Sequence, residues 1–100
     1  MAQETMTIGN FAGGLVLAQI DFNNANGNIN KARVINNSAS PAHFEAVLAP
    51  PVNGWSTIGM DAPANATTEN NLPNNTVKFT KDADGNWSLP GVSLFCRWPA

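Results

Sequence analysis

The sequence is short of several things that define familiar protein classes. It holds one cysteine, Cys96, so no disulfide can form within the chain and the fold is not stapled. A lone free cysteine reads as a small buried hydrophobe. Charged residues make up 12% of the chain, about half the usual share of roughly 25%. The five cationic residues (Lys31, Arg33, Lys78, Lys81 and Arg97) form no run, and the net charge is −2. Nucleic acid is bound through clustered positive charge, so nucleic acid is not among the expected partners.

Long apolar runs are missing as well. In the first 22 residues the longest is Leu15-Val16-Leu17-Ala18, and no segment of the chain approaches the roughly 18 apolar residues of a membrane-spanning helix. A secretory signal needs a positive start and an apolar stretch of about 7–15 residues; the first charge here is Glu4. The reading from this end of the chain is a protein made in the cytoplasm and not exported by the ordinary route.

Catalytic sets are also absent. His43 is the only histidine, and nothing in the local sequence joins it to Cys96 and an orienting group as a nucleophile pair. One histidine and one cysteine are too few for a metal site of those ligands. Neither a singled-out carboxylate pair nor a phosphate-cradling glycine motif is present. No nucleophile, base and orienter can be assembled, so the expectation is a non-enzymatic protein without metal or cofactor.

What the chain does have is asparagine, at 15 positions, and an apolar share of 43%. That share is ordinary for a folded domain, while asparagine and glycine favour turns over helices. At 100 residues one domain is expected, burying only about 60–65% of the surface its unfolded chain exposes, so the core is thin.

Period-two alternation runs through most of the chain. Strands are predicted over 5–11, 15–22, 29–36, 42–49, 53–60, 76–80 and 92–98. In 15–22 the inward face is Val16, Ala18, Ile20 and Phe22; in 92–98 it is Val92, Leu94, Cys96 and Trp98. Asn26-Gly27 is a hairpin signal between the second and third strands. In 29–36 either face could be the inward one. Residues 1–14 read as an arm or an edge strand, and 61–75, polar with two prolines, as a long loop. Six or seven short strands with turn-rich connections predict an all-β domain, a small antiparallel β-sandwich of immunoglobulin-like or jelly-roll-like type with little or no helix.

The stretch that most resembles a site is DADGNW, residues 82–87. Asp82, Asp84 and Asn86 have the spacing of the first three oxygen donors of a calcium loop. Trp87 then stands where that loop needs its glycine, and Ser93 where it needs a bidentate glutamate. Asp84-Gly85 is a preferred hairpin turn, which is the simpler reading. A sugar site would use an exposed tryptophan with amides and carboxylates beside it. The first choice is Trp87 with Asp82, Asp84 and Asn86, and the second is Trp55 with Asn53. Against both stands the need of a thin core for aromatic bulk. Asn-x-Ser/Thr triplets begin at Asn36, Asn65, Asn74 and Asn86; without a secretory signal they are expected to stay unmodified.

Two functions are expected from this. The first is a structural protein of a larger assembly, with a virion as the setting: a capsid-decorating or tail-associated protein acting by protein–protein contact with copies of itself or other subunits. Sparse charge lowers the desolvation cost at subunit contacts, and a particle built in the cytoplasm needs no export signal. The alternative is a carbohydrate-binding lectin or adhesin domain located in the cytoplasm, using an exposed tryptophan.

Overall fold

In the computed structural model, residues 3–52, 55–72, 80–88 and 91–100 are described, the backbone alone at 49–52 and 55–56. The strands run in chain order as β1 (Gln3–Phe11), β2 (Val16–Asn23), β3 (Ile29–Asn36), β4 (Ala42–Val52), β5 (Trp55–Ala62), β6 (Ala66–Asn71), β7 (Thr80–Lys81), β8 (Trp87–Ser88) and β9 (Val92–Arg97). A single 3-10 turn, Ala12–Gly14, links β1 to β2. One sheet has the order β1-β2-β3-β6 and the other β5-β4-β9, with β7-β8 a separate hairpin. Every pairing is antiparallel. The result is a small all-β domain, consistent with the two-layer sandwich that the alternation predicts.

The core forms where the alternating apolar faces meet. The four-stranded sheet contributes Val16, Ala18, Ile20 and Phe22 from β2 and Ile29, Ala32 and Val34 from β3. The three-stranded sheet contributes Ala42, Phe44, Ala46 and Leu48 from β4 and Ile58, Met60 and Ala62 from β5. Each large side chain here stabilises the fold by about 1.5–3 kcal/mol through burial. Among the described residues, five of the fifteen buried apolar ones are alanines, so the interior is thin as composition implies.

The Asn-Gly signal marks a real hairpin. Gly27 lies at φ 81°, and Asn23 accepts the Gly27 N–H at 2.7 Å and donates its own to Asn28 at 2.9 Å. The ambiguous inward face of 29–36 resolves through a bulge. Phe22 pairs with Ile29, but Asp21 pairs with Lys31, so Asn30 is the extra residue. The alternation changes phase there: Ile29 points inward, and after it Ala32, Val34 and Asn36 do. A bulge of this kind re-aims side chains to the other face.

The long loop expected over 61–75 is a correction. Asp61 and Ala62 end β5, and Ala66–Asn71 is an edge strand paired to β3 from Lys31↔Asn71 to Asn36↔Ala66. Polarity misled the reading because an edge strand with a solvated face needs no apolar alternation. Asn65, at φ 56°, turns the chain between β5 and β6. Of residues 1–14, the described part is the edge strand β1 and the 3-10 turn. The strand expected over 76–80 lies outside the described residues except for Thr80, as do Asn53, the first residue of the strand expected over 53–60, and Asn74.

The crossover from β3 to β4 is held by a buried amide. Asn36 is fully buried; its Nδ2 donates to the Ser40 carbonyl at 2.8 Å and the Ala62 carbonyl at 3.1 Å. Its Oδ1 accepts the Ser38 N–H at 3.0 Å. Trp98 Nε1 donates to Ser38 Oγ at 2.7 Å, which ties the C-terminal end of the chain to this crossover. A buried amide is tolerated only when satisfied in this way.

Candidate functional site

The DADGNW stretch folds as a hairpin turn between β7 and β8. Asp82 donates its N–H to Asn86 O at 3.0 Å, and Gly85, at φ 84°, donates to Asp82 O at 3.1 Å. Asp82 Oδ1 accepts the N–H groups of both Asp84 and Asn86, each at 2.9 Å. That carboxylate oxygen is engaged in closing its own turn, which is the local side-chain-to-backbone bonding aspartate offers at such positions. Asp84 and Asn86 are exposed on the turn.

Trp87 leaves the turn in the other direction. It is half-buried and meets Phe22 edge-on, with ring centroids 5.0 Å apart at 65°. Lys81 Nζ sits 5.4 Å from its ring centroid. The ring therefore fastens the hairpin to the core of the four-stranded sheet and carries a cation on its face. The structure brings Trp87 and Asp82 into one hairpin but gives them different tasks. Trp55 lies on β5; its side chain and Asn53 lie outside the described residues, so that second pairing does too.

Beside Trp87 a cleft of about 310 Å³ opens, lined by Met6, Thr7 and Ile8 of β1, Trp87 and Ser88 of β8, and Val92 and Leu94 of β9. Topology explains its position. β1 and β9 are edge strands of the two sheets. Inward residues of the inner strands β2 and β4 are buried, whereas Met6, Ile8, Val92, Leu94 and Cys96 are only half-buried. Among the described residues, the hydrophobic interior is thus open along this margin. Gly9 lets β1 take its path there: a Cβ on it would lie 2.7 Å from the Phe11 ring.

A second polar cluster lies on the outer face of the three-stranded sheet. His43 Nδ1 is 2.6 Å from Asp61 Oδ1, and its Nε2 is 3.1 Å from Glu45 Oε1. Both ring nitrogens face carboxylates, which suits the doubly protonated ring. The hydrogen bonds to Asp61 and then Glu45 hold its pKa above the ordinary histidine value. Cys96 is the register partner of Phe44, while His43 pairs with Arg97. Alternation therefore puts the thiol on the inner face and the imidazole on the outer one, and burial pushes the thiol pKa up. No nucleophile pair is formed between them.

The Asn-x-Ser/Thr positions divide in the same way. Asn36 is sealed in the crossover, while Asn65 and Asn86 are exposed in turns. Sequence reading missed the His43 cluster and the Asn36–Ser38–Trp98 link. His43 and Glu45 stand two apart on one strand, which was a readable sign; Asp61 joins them only through the β4–β5 register. Compared with protein families, with curated proteins and with solved structures, the chain has no match in any of the three.

Proposed function

We propose that the protein is a non-enzymatic structural subunit of a larger assembly, acting through protein–protein contacts. The observation that carries this reading is the β1/β9 margin, where apolar inner-face residues surround a cleft between two strand edges that, among the described residues, no further strand pairs. Such an edge is a template for another chain, and covering it removes apolar surface from water. A virion shell or tail is the narrower setting we propose. It is supported by surface chemistry alone: few charges and many amides, which lower the desolvation cost of packing subunits together.

A carbohydrate-binding role is the second reading, favoured by the position of Trp87 at the wall of an open cleft with Ser88 beside it. The two separate in one experiment on the purified chain: its mass in solution across a concentration series, alongside a glycan screen. The assembly reading expects self-association, or addition in fixed stoichiometry to a shell, with no glycan bound. Glycan binding that Trp87→Ala abolishes while the circular dichroism is unchanged would replace it with the lectin reading.

A further inference from the structure

We infer that two copies of this chain join through β9, running antiparallel, so that Phe95 of one copy stands directly opposite Phe95 of the other and two three-stranded sheets become one. The inference rests on the assembly reading above and names its partner and register.

Among the described residues the sandwich has four edge strands, β1, β6, β5 and β9, and three of them carry features that discourage pairing. β1 is broken by a bulge between Thr7 and Gly9. β6 is polar from Thr67 to Asn71, and its Glu69 is held by Arg33. The pairing of β5 with β4 is irregular between Val47 and Val52. Charges, bulges and short or irregular edges are the usual protection against edge-to-edge association. β9 has none of these along its length. Its register with β4 is unbroken from Leu48↔Val92 to His43↔Arg97, it contains no proline, and its one charge is at its end. Phe95, on its outer face, is 56% exposed, the most of any large hydrophobic residue among those described.

The strand is self-complementary. Directly opposite residues of an antiparallel pair share a face. Centring the pair on Phe95 sets Ser93 opposite Arg97 twice on the outer face and Leu94 opposite Cys96 twice on the inner face. No like charges are opposed, and the half-buried Leu94 and Cys96 gain cover. Arg97 of the second copy falls diagonal to Phe95, within reach of its ring, while Glu45, the β4 partner of Phe95, flanks that ring from the other side. Cation, ring and carboxylate then lie in sequence across the joint. This complementarity is the reason for assigning a second copy of this chain to the edge.

The test is sedimentation equilibrium on the full chain as wild type, as Phe95→Lys, as Phe95→Glu, and as an equal mixture of the two variants. Phe95 is exposed, so both variants keep the wild-type circular dichroism. The expected result is a reversible wild-type dimer, dimerisation weakened about tenfold or more in each variant because like charges meet across the joint, and recovery in the mixture as a heterodimer. A monomeric wild type, a dimer indifferent to both charges, or a mixture that stays monomeric would overturn the inference. Mild oxidation that links copies through Cys96 would also overturn it, since that bond belongs to a register slipped by two residues. A monomer that still adds to a shell leaves the assembly reading standing without this interface, whereas glycan binding or catalysis removes the reading itself.

Discussion

The two outer faces of the sandwich solve the same problem with different chemistry. Each places a cation between two carboxylates: on the four-stranded sheet both come from neighbouring strands, and on the three-stranded sheet one comes from a neighbouring strand and one from the histidine's own strand. On the four-stranded sheet Arg33 pairs with Asp21, donates from Nε to Glu69 at 3.0 Å and reaches Gln19 at 3.3 Å; Thr5 donates to the other Asp21 oxygen at 2.6 Å. On the three-stranded sheet His43 sits between Asp61 and Glu45. The Arg33 side chain is 15% exposed and that of His43 31%. A guanidinium stays charged at every accessible pH, while an imidazole does not. The first network is therefore a permanent brace and the second a conditional one.

The largest effect should come from breaking the permanent brace. Asp21 is 6% exposed, and Arg33→Met leaves its carboxylate without its main partner. Removing one member of a buried pair costs more than the pair itself contributes. We expect a loss of about 2 kcal/mol in urea unfolding. The double variant Arg33→Met with Asp21→Leu should recover most of that loss, because no uncompensated charge remains. A single variant as stable as wild type would mean that water already satisfies Asp21, and the contrast between the faces would fail.

This brace shows where the sequence was legible and where it was not. Lys31 and Arg33 on alternate positions of one strand were visible, as were the buried face of β2 and the half-buried inner face of β9 as far as Cys96, because period-two alternation with one apolar face has a single reading; Trp98, expected to continue that face, is exposed beyond the end of β9. Asp84-Gly85 announced its turn by residue chemistry alone. The Asn30 bulge was hidden, since a phase change within a strand leaves both faces mixed, and β6 was hidden because a solvated edge strand looks like loop. The sites were half-visible for a related reason. Same-strand neighbours such as His43 and Glu45 follow from spacing, but Asp61, Glu69 and the Phe22 contact of Trp87 depend on register and on how the sheets stack.

The next effect in size is a pH dependence that separates the faces. The His43 pKa is raised in the folded protein, so its stabilisation is fully present below the ordinary histidine pKa of about 6.5 and is lost as pH rises through the folded value. Asp21 behaves in the opposite sense. Burial alone would raise its pKa, but hydrogen bonds from Arg33 and Thr5 and the charges of Arg33 and Lys31 outweigh burial and lower it. Its contribution is present above about pH 3.9 and is lost as pH falls through the folded value. Stability should be greatest between those limits. Urea midpoints compared at about pH 5 and about pH 9 should fall toward the alkaline side in wild type and fall less in His43→Gln. Equal slopes in the two proteins would show that His43 is not the group responsible.

The smallest effect tests whether the permanent brace depends on its rim. Lys31 Nζ lies 3.7 Å from Glu69 Oε1, with side chains 35% and 45% exposed. An exposed pair at that distance is screened by solvent and salt and loses side-chain entropy when fixed. Glu69 is in any case already held by Arg33 at the shorter distance of 3.0 Å. Lys31→Ala should therefore leave the urea midpoint within experimental error, at low and high salt alike. If it cost as much as Arg33→Met, the support would be spread evenly over the charges of this face, and what distinguishes the two faces would be the number of charges they carry. If it costs nothing, what matters is the one cation that cannot lose its proton, set against the one nearly buried carboxylate that cannot do without it.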